Sequence, residues 1–283
     1  MKLKDINIRD PFILCENSRY YLYGTRAKDF GKRVSGFDVY VSDDLENFSE
    51  AKCCFDSERA GLNNGVNWAP EVHKYGGKYY MFATFTKENG LRGTYILSSD
   101  SPEGEFTLHS HGAVTPYEWE CLDGTLYVEN GEAYLVFCHE HTQITDGTIC
   151  YVKLSPDLKK AQGEVAIIFS GSSPYYVEEK PKGEHYITDG PFMHKNTDGK
   201  LYMIWSTFIN HRYSQCIARS VTGSITGEFE HLEPLIKDDG GHGMIFEHGK
   251  DLYLTFHSPN KTGYERPKIV PVCETDSGLI IKG

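Results

Sequence analysis

Apolar and polar positions alternate along most of this chain in short bursts rather than recurring with a helical period. An aromatic-rich pattern returns five times: YYLYGT from Tyr20, KYYMFATF from Lys78, EAYLVFCHE from Glu132, KLYMIWSTF from Lys200 and DLYLTFHSP from Asp251. Aromatic and β-branched residues suit a pleated, half-buried strand. Each burst follows a turn signal: Glu16-Asn17-Ser18, Gly76-Gly77, Asn130-Gly131, Asp198-Gly199 or Gly249. Most are followed by a second alternating run ending in a turn, as in FDVYVSDDLENF, TYILSSDSPEGEF, TICYVKLSPDLKKA and SQCIARSVTGSITGEF. No stretch holds apolar spacing at i, i+3, i+4 and i+7 over three turns. The copies stand roughly 50 to 70 residues apart, the length of one four-stranded blade. The pattern therefore predicts an all-β chain, a five-bladed β-propeller forming one domain over residues 1–283. A β-sandwich with chance similarity between its hairpins is the alternative, and five ordered copies weigh against it.

Composition narrows the chemistry. The formal net charge of −11 disfavours nucleic acid or an anionic membrane as partner, since both need clustered Lys and Arg. No segment approaches the roughly 18 uninterrupted apolar residues of a membrane span. The N-terminus is charged within its first five residues and shows no apolar signal region, so a cytoplasmic location is expected. That in turn favours reduced thiols for the eight cysteines, which lack zinc-finger spacing. Aromatics make up 13% of the chain, and they can line a sugar cleft as well as fill a core.

Three acids stand just before apolar strands at similar points of the repeat: Asp10 in NIRDPFI, Asp123 in ECLDGTLYV and Asp189 in YITDGPFMH. In a propeller such positions converge on the central channel. Taken singly, an Asp before Pro or Gly is more often a turn former. As a set they have the makings of a glycoside-cleaving site. An inverting glycosidase needs a protonated acid on the leaving oxygen and an ionised base to activate water. A third carboxylate raises the acid's pKa by like-charge repulsion.

With these motifs the chain resembles glycoside hydrolase family 43, five-bladed propellers that invert configuration at arabinosides and xylosides. RDPFI resembles the base motif and implies that role for Asp10. LDGTLY implies that Asp123 modulates and orients the acid, and NWAPEVHKYGGKYYMF resembles the second-blade signature. The family's acid is usually Glu in Glu-Gly-Pro, whereas this chain reads Asp189-Gly190-Pro191. Asp is shorter by one methylene, so Glu140 in FCHEH stands in reserve as proton donor, with Glu71 behind it. Substrate contacts are expected from Trp68, Glu71, Trp119, His139, Glu140 and Arg266, core packing being the competing role for Trp119 and His139. The resemblance also implies that His242 in GGHGMIF helps hold a hydrated calcium or other ion in the channel, with no cofactor needed for the chemistry.

The expected substrate is thus a plant-derived oligosaccharide carrying terminal α-L-arabinofuranosyl or β-xylosyl groups. The absence of an accessory sandwich after the fifth repeat leans toward arabinan-type activity. An endo-α-1,5-arabinanase is the alternative within enzymes, and a glycoside phosphorylase would need clustered basic groups for phosphate. A noncatalytic carbohydrate-binding propeller is the alternative outside enzymes, and oligomeric state is left open.

Overall fold

The computed structural model describes residues 1–32, 36–62, 65–275 and 277–282. It contains five antiparallel sheets of four strands, each built from consecutive segments in simple up-and-down order. The innermost strands are Ile8–Glu16, Asn67–Tyr75, Cys121–Glu129, Asp189–Lys195 and Gly241–His248. They pack against one another around the axis of a five-bladed β-propeller. The five aromatic bursts form the second strand of each blade. Their alternating side chains, among them Tyr23, Phe82, Phe137 and Trp205, fill the layers between blades.

Among the described residues no blade draws strands from both ends of the chain, so blades 1 and 5 meet through side chains and packing. Asn7 Nδ2 donates to the carbonyls of Gly263 (3.2 Å) and Glu265 (2.8 Å) across this seam. His257 Nδ1 accepts from the Asp10 backbone N–H at 3.1 Å. Asn7→Ala removes two of these long-range bonds, each worth about 0.5–1.5 kcal/mol. A urea titration is therefore expected to show a stability loss of about 1–3 kcal/mol with the m-value unchanged.

The innermost strands share a device that builds the site. Each breaks register at a bulge whose first residue has left-handed backbone: Asp10 (φ 53°), Ala69 (46°), Asp123 (56°), Gly190 (49°) and His242 (50°). The next residue is always Pro or Gly: Pro11, Pro70, Gly124, Pro191 and Gly243. A bulge frees that position from the ladder, so a residue without an N–H is tolerated there. Asp accepts left-handed backbone better than most residues.

These buried bulge N–H groups are satisfied by one recurring position on the second strand. Thr25 Oγ1 accepts from Ala69 N (2.7 Å), Thr84 Oγ1 from Asp123 N (2.9 Å), Ser206 Oγ from His242 N (2.7 Å), and His257 completes the ring on Asp10. Blade 3 has Cys138 at this position, and sulfur is a weak acceptor. There Asp123 Oδ2 accepts from Gly190 N instead, at 3.0 Å.

Candidate active site

The bulges deliver their side chains to one end of the channel, where a cleft of about 160 Å³ is lined by Arg9, Asp10, Trp68, Arg92, Asp123, Glu140, Asp189 and His242 among others. The three acids singled out in the sequence thus share one cavity. They are not equivalent. Asp10 and Asp123 occupy the left-handed bulge position, whereas Asp189 lies one residue earlier, in register with Arg9, Trp68, Leu122 and Gly241. Gly190 takes the bulge position in blade 4. A Cβ there would meet His242 Cδ2 at 2.5 Å, so a side chain would displace the histidine.

Asp10 is buried and surrounded by donors. Thr25 Oγ1 donates to its Oδ2 at 2.7 Å, while Arg9 Nε and His242 Nδ1 stand 3.3 and 3.2 Å from Oδ1. His257 lies 3.6 Å away. Burial alone would raise this carboxyl. His242 and Arg9, with the Thr25 hydrogen bond, outweigh it and hold Asp10 well below the usual carboxylate range. His257, fully enclosed, is pushed down to about 3 by burial.

Asp189 has the opposite surroundings. Burial, reinforced by the charges of Asp123 and Glu140, raises it to about 7. Its direct hydrogen-bond donor among the described residues is Tyr213, whose hydroxyl reaches Oδ2 at 3.1 Å. Asp123 is also raised, by burial first and Asp10 second. Through Gly190 N it fixes the backbone next to Asp189. One cleft therefore holds one carboxyl shifted down and another shifted up to about 7, the kind of split that separates a base from an acid.

The chain matches the family described as Glycosyl hydrolases family 43 over residues 5–272. It belongs to glycoside hydrolase family 43. An endo-arabinase from Bacteroides thetaiotaomicron VPI-5482 shares 35% identity, with 98% of each chain covered and a TM-score of 0.89. A thermostable family-43 glycoside hydrolase shares 25% identity over 98% of this chain and 93% of its own, with a TM-score of 0.84. An endo-1,4-β-xylanase from the same Bacteroides strain, at 22% identity over 98% and 95% with a TM-score of 0.79, shares the fold. Among curated proteins no significant match is found.

This family 43 chain places the remaining candidates unevenly. Glu140 and Trp68 line the cleft. Glu140 is the N-cap of the short helix His141–Ile144, accepting from His141 N at 3.1 Å, and pairs with Arg92 Nη2 at 2.7 Å. Trp68 is less open than a sugar platform needs: Phe30 stacks on it at 5.0 Å, and the Arg92 guanidinium lies 5.1 Å from its ring.

Four candidates differ from the sequence expectation, because the structure does not bring them into the cleft lining. Glu71 lies past the bulge, where strand alternation turns it down the channel. It bonds His73 Nε2 at 3.1 Å and borders a separate space of about 10 Å³, room for roughly one water. Trp119 and His139 stack on each other at 4.1 Å, and His139 Nε2 pairs with Gln143 at 2.8 Å. Their loop is drawn inward by Lys87 Nζ, which donates to the carbonyls of Pro116, Tyr117 and Trp119 at 2.6–3.0 Å. Arg266 Nη1 is turned back onto the Glu265 carbonyl at 2.8 Å.

A directly ligated channel ion does not fit the residues around His242. Its Nδ1 faces Asp10 at 3.2 Å and Asp123 at 3.8 Å, and no group of three or more His, Cys, Asp or Glu among the described residues is arranged to hold a metal. No chemical step is therefore assigned to an ion.

Arg9 and Arg92 are cationic cleft residues that sequence reasoning missed, as it did Phe30 and His141. The signal for Arg9 was available: it precedes its bulge residue just as Asp189 precedes Gly190. Arg92 begins the third strand of blade 2 with no distinguishing motif, and only the blade packing brings it to the cleft.

Proposed function

We propose that this family 43 enzyme is an inverting hydrolase of terminal α-L-arabinofuranosyl, or β-xylosyl, linkages in plant-derived oligosaccharides. The observation that carries the reading is the split between Asp10 and Asp189 within one small cleft. Asp10, ionised by its ring of donors, takes a proton from water as the water attacks the anomeric carbon. Asp189, kept protonated by burial and its acidic neighbours, gives its proton to the leaving oxygen. Asp123 holds the acid in place through Gly190 N and adds the repulsion that keeps it protonated. A binding module has no use for this division of protonation states.

The test is a screen of aryl arabinofuranosides, xylosides and galactosides, with the first-formed anomer followed by NMR. Inverted product from an arabinofuranoside or xyloside supports the reading. Retention removes the base role from Asp10, and no turnover on any glycoside favours a carbohydrate-binding propeller.

The pH profile follows from the same two shifts. Because the donor must be protonated, kcat/KM is expected to fall as pH rises through about 7. Because Asp10 is held below the carboxylate range, it contributes no loss on the acidic side down to about pH 4. The basic limb reports the coupled Asp189–Asp123 set rather than one residue.

Endo-α-1,5-arabinanase activity is the second reading, favoured by the 35% identity to an endo-arabinase. Internal cleavage of debranched arabinan, giving a ladder of oligomers before any monomer, decides for it. Phosphorolysis is disfavoured because each cleft arginine already pairs with two carboxylates: Arg9 with Asp10 and Glu265, Arg92 with Glu120 and Glu140.

A further inference from the structure

Arg92 is held more firmly than a surface arginine. Glu120 binds it twice, accepting from the Arg92 backbone N–H at 3.0 Å and from Nε through its other oxygen. Nη2 reaches Glu140 Oε2 at 2.7 Å, and the guanidinium rests against Trp68. Glu120 is outside the cleft lining, in a loop that is itself pinned. Lys87 clasps three of the loop's carbonyls, Asn89 Nδ2 donates to the Tyr117 carbonyl at 2.9 Å, and Gln143 bonds both the Glu118 carbonyl (2.9 Å) and Glu120 N (2.7 Å). Glu140 is fixed from its other side by the helix it caps.

This chain of contacts ends in an open valence. Arg92 Nη1 has no partner among the described residues, although Arg92 lines the cleft with its side chain only 16% exposed. Beside it stands the Glu140 carboxylate, a pure acceptor when ionised. A guanidinium donor and a carboxylate acceptor held rigidly side by side match two neighbouring hydroxyls of one sugar ring: one accepts from the arginine and the other donates to the glutamate.

We propose that the Arg92–Glu140 pair is a specificity element that reads a vicinal diol of the substrate sugar, with Glu120 as the positioning residue that holds Arg92 in reach. The proposal rests on the glycosidase reading above. It adds a recognition role that the three aspartates do not supply.

The test pairs variants with substrates. The aryl pentoside that the wild-type enzyme turns over fastest is compared with its analogues deoxygenated at C2 and at C3. Arg92→Met is expected to lower kcat/KM on the parent sugar by roughly 10- to 100-fold, the loss for a charged hydrogen bond. On the analogue lacking the hydroxyl that Arg92 reads, that loss should shrink to about threefold or less, because the partner is already missing. Glu120→Gln leaves Arg92 present but loosely held, and it should weaken the parent sugar mainly through KM while the basic limb near pH 7 stays in place. Arg92→Lys, a safer variant for folding, should restore little, since an ammonium lacks the fork.

If Arg92→Met and Arg92→Lys lose the same factor on the parent and on both deoxy sugars, the pair reads no hydroxyl and the proposal fails. Full activity of either variant overturns it as well. Failure here leaves the reaction itself intact, whereas a wild-type enzyme inert on all glycosides removes the underlying reading.

Discussion

Replacing Asp10 by Asn is expected to lower kcat on any turned-over glycoside by about 10²–10⁴-fold, the usual contribution of a general base. Asn is the informative substitution because it keeps the local structure. It tolerates the left-handed backbone that Asp10 adopts at φ 53°, and its amide oxygen can still accept from Thr25 Oγ1. What disappears is the charge that takes the proton from water. Circular dichroism should be unchanged. The melting temperature should drop, since Arg9 and His242 lose their shared partner in a buried setting. An Asp10→Asn enzyme with near-wild-type kcat would show that water is activated elsewhere.

The second large effect belongs to Asp189, and its diagnostic is the leaving group. Asp189→Asn removes the proton donor, so oligosaccharides with alkoxide leaving groups should lose about 10²–10⁴-fold in kcat. A dinitrophenyl glycoside, whose leaving group needs little protonation, should lose far less. The basic limb near pH 7 should disappear in the same variant. Glu140→Gln is the necessary companion. Its carboxylate shares the cleft but is committed to Arg92 and to the helix cap, so its loss should fall equally on good and poor leaving groups. If the leaving-group dependence instead follows Glu140, then Glu140 is the donor and Asp189 a neighbour that tunes it.

Much of this site was legible because the blade repeat leaves local marks. The aromatic bursts located all five second strands, and the Asp before Pro or Gly pointed to Asp10 and Asp123, which the structure places at the bulges of blades 1 and 3. The similar motif did not reveal that Asp189 stands one residue earlier in its strand than Asp10 and Asp123 do in theirs. Blade 4 puts Gly190 at the bulge, and an acid placed one position earlier leaves the strand at a different angle. Trp119, His139 and Arg266 show the opposite limit. They sit in aromatic or cationic segments that suggest sugar contact, yet Lys87, Gln143 and the Glu265 carbonyl draw them elsewhere. Lys87 lies 32 residues from Trp119, while Gln143 and the Glu265 carbonyl are near in sequence but carry no motif that announces the contact.

By itself the sequence determined the strand pattern, the five-fold repeat, the family and the candidate aspartates. Each of these is written in contiguous residues, through period-two alternation, turn chemistry and the left-handed tolerance of Asp and Gly. Only the tertiary structure decided which charges face each other. A carboxylate's proton affinity depends on burial and on neighbours contributed by other blades. Asp10 is shifted down because His242 arrives from the far end of the chain to join Arg9 beside it, and Asp189 is shifted up by burial and by Asp123 and Glu140 next to it. Arg92 enters the cleft for the same reason: its place there is set by how blades 2 and 3 pack, not by anything adjacent to it in the chain.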